Sequence, residues 1–449
     1  MKPLLRAAPI STANSTIRVS PNTHVSSQFA RFDLEFCDIA SDPSNASRLF
    51  ATVLRWRGND LDVLGFYSHD GGISWLTGCE RLAESGKRLS DTSVAFALDG
   101  TLYLTHMRDD PAYVHPLGTQ GEGNVELTAS TDGGASWSEG ARIPDRVDRP
   151  WLVVDTTNGI HQGRIYCVVN VGEPACYVSN DSGSTLAGPT YPHAGKAFVN
   201  CRHAEPVVGA DGSVIVVAKG MGERSERTPR LYCYRSTDGG HTFAEQTPVN
   251  TEWRHDRLKS SGGVETFWPR LAADTNSLQF AGRIYCVWGD GTVDGIDGER
   301  ILFSFSGDYG QTWSEPVVIS EQPMVTEGVS PEYMSFKPSI AVSNTGAVAV
   351  SWYDRRGMPA PVLAPTARKD VYQKRVDGWN VRLRISLDGG ATWVPSVQIN
   401  EEPGVGPVEV GHAAGLTAAA DGSFHPVWID NRTGKRQLWT TRIEFDNHK

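Results

Sequence analysis

Ser130-Thr131-Asp132-Gly133-Gly134-Ala135-Ser136-Trp137 is one copy of an octapeptide with the frame Ser-x-Asp-x-Gly-x-(Ser/Thr)-(Trp/Phe). Further copies occupy 68–75, 236–243, 306–313 and 386–393, and a weaker one at 179–186 ends in Leu186. Their aspartates, Asp70, Asp132, Asp181, Asp238, Asp308 and Asp388, are 62, 49, 57, 70 and 80 residues apart. The residue types are those of a hairpin turn. The carboxylate accepts from the turn's own donors, glycine supplies a positive φ, and the aromatic ring wedges between neighbouring sheets. The spacing is about one propeller blade plus variable loops. Six copies around a ring cannot share one active site, so these aspartates read as structural.

A second pattern precedes each octapeptide: an apolar strand, an Asp-Gly or Asn-x-Gly turn, and another apolar strand. Thr92–Thr105, Ala204–Val217, Pro338–Trp352 and Ala413–Trp428 are clear copies, and looser ones begin at Phe36, Pro150 and Pro269. Seven such hairpins stand against six octapeptides. The last repeat, 412–443, ends after three strands, and Thr16-Ile-Arg-Val-Ser20 is a spare strand near the start. If that strand supplies the missing edge, the ring closes. The expected fold is therefore all-β: a β-propeller of four-stranded blades, seven favoured and six the alternative, with an N-terminal strand closing the last blade. Residues 1–15 read as an N-terminal tail and 16–446 as one domain.

The net charge of −10 argues against a nucleic-acid partner, which needs a basic face. No apolar stretch is long enough for a membrane-spanning helix. Arg6 and Pro9 interrupt the apolar core a signal peptide needs, so localisation stays open with a cytoplasmic one favoured. The seven cysteines form no Cys-x-x-Cys pair and read as small buried hydrophobes; no metal site is assigned. The acidic loop from Asp290 through Asp294 to Asp297 suits either a calcium ion or a plain turn, and no other cofactor is implied.

In a four-stranded blade the inner strand starts, and the second strand ends, on one face of the ring, where loops converge on the axis. Inner strands start at Asp38, Asp91, Asp148-Arg149, His203 with Glu205, Glu265 through Trp268 to Arg270, Lys337 and His412. Second strands end at Arg55 and Arg57, His106 with Arg108, Asn170, Lys219, Asp290, Tyr353-Asp354-Arg355-Arg356 and Asp430-Asn431-Arg432. Arginine forks bind a carboxylate bidentately, and paired carboxylic groups serve acid and base steps on a sugar, so the pattern suits an acidic glycan. Trp56, Trp268, Trp288 and Tyr353 are candidates to stack on sugar faces. The same residues have a structural reading: Asp354–Arg355 and Asp430–Arg432 as salt bridges binding neighbouring blades, Asp91 as a turn cap, His106, His203 and His412 as rim residues.

The octapeptides resemble the Asp boxes of the sialidase (BNR-repeat) superfamily, over about residues 16–445. The resemblance implies a propeller and an exo-α-sialidase-like glycosidase. In that family an arginine of a Phe/Tyr-Arg-Ile-Pro motif joins two others on the substrate carboxylate, a Tyr–Glu pair is the nucleophile and an Asp the acid/base. Gln28-Phe29-Ala30-Arg31-Phe32-Asp33 departs from that motif, leaving Arg31 or Arg57 as substitutes. By role and face, Asp91 is the acid/base, Glu265 and Tyr353 the nucleophile pair, and Arg270 and Arg355 the remaining clamps, with His106 a further acid or base. Arg57, Arg108, Arg149, His203, Glu205, Trp268, Asp354, His412, Asp430 and Arg432 complete the substrate-binding candidates. Asp boxes also occur in lyases and non-catalytic propellers. A uronate lyase using His106, Arg108 and His203, and a binding scaffold, therefore stand beside the glycosidase reading.

Overall fold

The computed structural model describes residues 6–11, 16–109, 123–193, 204–221, 229–250, 269–293, 296–321, 335–358, 362–365, 372–375, 377–407 and 414–446. The described residues contain no α-helix, only strands and one short 3-10 turn at Ser27–Phe29. No helix among them could cross a membrane.

Among the described residues, strand pairing groups the strands into successive antiparallel units, numbered here 1 to 7 in chain order. Unit 1 runs Leu34–Asp42, Asn45–Arg57, Asp60–Ser68 and Leu76–Arg81. Unit 2 adds Arg88–Phe96, Leu102–Asp109, Gly123–Ser130 and the first half of Ala141–Val154. The second half of that strand opens unit 3, followed by Ile165–Asn170, Pro174–Ser179 and Ala187–Thr190. Units 4, 5 and 6 begin with Ala204–Val208, Arg270–Ala273 and Ser335–Val342. Unit 7 has Gly415–Ala418, Phe424–Asp430 and Gln437–Thr440, continued by Ile443–Phe445. Its outer edge comes from the N-terminal segment: Thr23–His24 pairs with 439–440, and Ile17–Val19 with 443–445.

The first strand of each unit packs against the first strand of the next, and that of unit 7 packs against that of unit 1. This succession is the arrangement of a β-propeller, with the first strands innermost. At the seam, Ser41 Oγ donates to the Ala418 carbonyl at 2.7 Å. A side chain on Gly415 would run into the Ile39 backbone, so glycine permits the close approach.

Residues 6–11 are part of the fold rather than a loose tail. Arg6–Ala7 adds a parallel strand to Val317–Val318 of unit 5, and the Pro9 carbonyl accepts from Trp393 N–H of unit 6 at 2.9 Å. The reason is packing: Ala8 is buried beside Trp393 in the core between the two units.

Each octapeptide closes a turn by one network. In unit 4, Asp238 accepts from Ser236 Oγ at 2.8 Å, Thr242 N at 2.9 Å and Thr242 Oγ1 at 2.6 Å. The aromatic ring reaches the preceding unit: Trp137 lies edge-on to Phe50 at 5.5 Å and Trp393 to Phe303 at 5.0 Å. Gly134 and Gly390 have φ of 103° and 93°, and a Cβ on either would fall on Phe50 or Phe303. Burial alone would raise the Asp238 carboxyl, but the bonds from Thr242 and Ser236 outweigh it and hold it at about 2. Asp238→Ala is expected to cost roughly 1–2 kcal/mol in denaturant unfolding near neutral pH. A depressed carboxyl stabilises above its unfolded value of 3.8 and loses that contribution as pH falls through about 2, so the deficit should vanish in strong acid.

Candidate functional site

Aligning the units on their second strands places seven inner-strand residues at one level of the axis. Asp38, Ser93, Trp151, Glu205, Arg270, Ser339 and Gly415 stand opposite Thr52, Thr105, Val168, Val217, Val287, Ser351 and Val427. Several of them lace neighbouring units together. Val94 N–H donates to Asp38 Oδ2 at 3.1 Å, Leu152 N–H to Ser93 Oγ at 3.1 Å, and Ser339 Oγ to the Ala414 carbonyl.

Arg270 is the centre of this ring. Its Nε is 3.1 Å from Glu205 Oε2, its Nη1 donates to the Ala414 carbonyl at 3.3 Å, and its guanidinium lies 4.5 Å from the Trp151 ring. One side chain from unit 5 thus reaches units 3, 4 and 7. The Arg270–Glu205 contact is close but not aligned as a hydrogen bond, so Nε and Oε2 keep unused bonding capacity although buried. Each side chain retains about a tenth of its exposure, 10% for Arg270 and 11% for Glu205. Burial pushes the Glu205 carboxyl up to about 7; Arg270 pulls it down and Asp38 pushes it further up. Asp38 is also raised by burial, against the attraction of Arg270. Such a set can hold an anionic group at the guanidinium and keep a carboxylic acid protonated near neutrality.

Just outside this level, four inner strands are bulged. Phe36, Asp91, Arg149 and Lys337 have φ between 44° and 54°, and each sits where the register with the second strand slips. Non-glycine residues in that region are costly and cluster at functional sites. Asp91 and Arg149 occupy equivalent places on units 2 and 3, two residues before Ser93 and Trp151. His203, Glu265, Trp268 and His412 lie outside the described residues.

Other expected site residues have structural positions. Tyr353 is fully buried and stacked on Phe336; its hydroxyl accepts from Ile429 N–H at 2.9 Å in unit 7. Burial drives its phenol well above the usual range, and its hydroxyl ties unit 6 to unit 7. Tyr353→Phe is expected to cost about 1–3 kcal/mol by leaving a buried amide unpaired, with ligand binding and turnover unchanged. Turnover abolished in a stably folded Tyr353→Phe variant would restore the nucleophile role. Trp288 is likewise buried in the core and offers no stacking face.

Asp354 pairs with Arg356, not Arg355. Its carboxylate takes the Trp352 indole N–H at 3.1 Å, Arg356 N at 2.9 Å and Arg356 Nε at 2.8 Å. Asp430 repeats this with Trp428 and Arg432. These are local caps of the second strand, and parity explains the correction: residues two apart share a face, neighbours do not. Arg356 also reaches Glu321 of unit 5 at 3.4 Å. Arg355 is buried, with Nε donating to the Gly378 carbonyl. Arg57 and Arg55 both close on Asp62 within unit 1. His106 is buried, its imidazole pushed down to about 3 by burial and then by Arg81, Arg108 and Arg142. It stays neutral and enclosed, unsuited to proton exchange with a substrate. Arg108 lies in a separate cleft on unit 2, lined also by Glu84 and Lys87 of the connection from unit 1.

Among the described residues, Cys37, Cys79, Cys167, Cys176, Cys233 and Cys286 form no disulfide. Among the described residues no group of His, Cys, Asp and Glu could hold a metal ion. The segment considered for calcium forms a β-hairpin, with Asp290 opposite Arg300 and Thr292 opposite Asp297; residues 294 and 295 lie outside the described set. Asp38 is among the inner-strand starts legible in the sequence, whereas Trp151, against which the Arg270 guanidinium lies, is not among the candidates. Trp151 directly follows the Asp148-Arg149-Pro150 start of an inner strand, the signal that could have found it.

No protein-family model matches the chain, and no curated protein sequence matches it. Among solved structures, a protein of unknown function from Dyadobacter fermentans is similar over 96% of this chain and 99% of its own, at 14% identity and a TM-score of 0.52. That likeness is one of fold. A Hadza microbial sialidase matches over 91% of this chain and 65% of its own, at 15% identity and a TM-score of 0.46. An α-L-arabinofuranosidase from Fusarium graminearum matches over 79% and 92%, at 15% identity and a TM-score of 0.43.

Proposed function

We propose that this chain is a seven-bladed Asp-box propeller that hydrolyses glycosides carrying an acidic sugar, with the reaction at the mouth of its axial channel. The observation that carries the reading is Arg270, held between Glu205, Trp151 and the Ala414 carbonyl with unused donor capacity. Arg270 takes the sugar carboxylate. Glu205, protonated because its carboxyl is pushed up to about 7, gives its proton to the glycosidic oxygen as the C–O bond breaks. Asp91, at the bulge beside the channel, meets the positive charge on the sugar ring and accepts the proton of the attacking water. Arg149 contributes a second cation at the neighbouring bulge. His106 is enclosed and neutral, which disfavours the lyase reading that needed it as a base.

The test is the full chain with fluorogenic α-sialosides and glucuronides, and with uronate polymers followed by ultraviolet absorbance. Fluorophore release without a new unsaturated product is the expected result. Unsaturated product from a uronate polymer would replace the hydrolase with a lyase. No turnover of any acidic glycoside would leave only a binding propeller.

A further inference from the structure

A cavity of about 240 Å³ opens on unit 2, beside the connection that leads in from unit 1, and shares no lining residue with the axial ring. Lys87, Arg88, Arg108 and Arg142 line it, against only Glu84 and Glu126. This excess of cations occurs in a chain whose net charge is −10.

The ion pairs here are longer than the tight pairs of units 1 and 4. Arg48–Asp42, Arg55–Asp62 and Arg235–Asp211 close at 2.6–2.7 Å. In the cavity, Glu126 is shared by Arg108 at 3.5 Å, Arg142 at 3.8 Å and Arg81 at 4.0 Å, and Arg108 is 3.7 Å from Glu84. One carboxylate cannot satisfy three guanidinium forks, and these separations are at or beyond a hydrogen bond. The buried Nε of Arg88, which lines the cavity, has no hydrogen-bond partner. His106, opposite Glu126 in the strand register, is buried and neutral and adds no further cation.

We infer that this cleft on unit 2 is a binding site for a small oxyanion, a sulfate or carboxylate substituent on a glycan, with Arg108 and Arg142 as its principal ligands. Its donors are arranged around an open volume, and an oxyanion supplies the acceptors that Glu126 lacks. The site is independent of the axial reaction and would stand if that reading failed.

The test is isothermal titration of the full chain at low ionic strength. The probes are inorganic sulfate, glucuronate, and a short sulfated oligosaccharide beside its desulfated counterpart. Saturable binding is expected that weakens at high salt. It should fall at least about tenfold in Arg108→Ala/Arg142→Ala. Arg142→Ala alone should fall by less, and it keeps the test open if the double variant fails to fold, since that side chain is 61% exposed. Arg235→Ala, whose guanidinium is already closed on Asp211, should bind as the unaltered chain does. Binding of the sulfated oligosaccharide but not of free sulfate would assign the site to a glycan substituent; equal binding of free sulfate would assign it to the anion itself. No saturable binding of any probe, or binding unchanged in the arginine variants, overturns the inference.

Discussion

Arg270→Ala should unfold at markedly lower denaturant, with a loss of about 3–5 kcal/mol at pH 8. The side chain joins units 3, 4 and 7 to its own, and its removal leaves Glu205 and Asp38 buried without their shared cation. The loss should depend on pH in a defined direction. In the intact chain Glu205 is raised from 4.5 to about 7, so the folded state holds a proton the unfolded state has released. A raised group contributes stability that is complete below 4.5 and is lost as pH rises through about 7. Without Arg270 both carboxyls rise further, because the guanidinium lowers each of them. Near pH 5 Glu205 is protonated with or without Arg270, and the deficit should shrink. A deficit that is constant from pH 5 to pH 8 would mean Arg270 acts by packing on Trp151 alone. Arg270→Lys should recover part of the stability and little of the ligand affinity, since a point charge cannot reproduce the fork.

Glu205→Gln should separate stability from chemistry. If Glu205 is the proton donor, turnover of an acidic glycoside should fall by roughly 10²–10⁴. The folded chain should become relatively more stable as pH rises above 7, because an amide cannot ionise where burial disfavours charge. The gain over the unaltered chain is bounded by roughly 3 kcal/mol, the linkage equivalent of a carboxyl moved from 4.5 to about 7. The alkaline limb of the pH–rate profile should lie near 7 in the unaltered enzyme and disappear in the variant. Turnover within about twofold of the unaltered chain would remove Glu205 from the reaction, whatever its effect on stability.

The parts of this fold written in short stretches of sequence were legible. The octapeptide turn is local chemistry, and Asp238, Ser236 and Thr242 meet because they are within six residues of each other. The spare strand near residue 17 was legible because the last repeat lacks an edge. The attachment of residues 6–11 to units 5 and 6 was not, since it depends on the small side chain of Ala8 fitting beside Trp393. At the site, the face was readable and the individual roles were not. Tyr353 ends a second strand, and the residues of a second strand alternate between the two neighbouring sheets, so reaching the correct face says nothing about pointing to the axis. Glu205 and Arg270 come from different units and become partners only when the inner strands pack. The left-handed bulges at Asp91 and Arg149 leave no mark in composition, because any residue type is found there when the surrounding strands enforce it.

The central claim is that the axial ring receives an acidic sugar. Crystals of the full chain soaked with sialic acid, and separately with glucuronic acid, test it without requiring turnover. The account predicts sugar density at the channel mouth, with its carboxylate within hydrogen-bond distance of Arg270 and its ring near Trp151. An empty channel with both sugars, or density only elsewhere on the molecule, would contradict it.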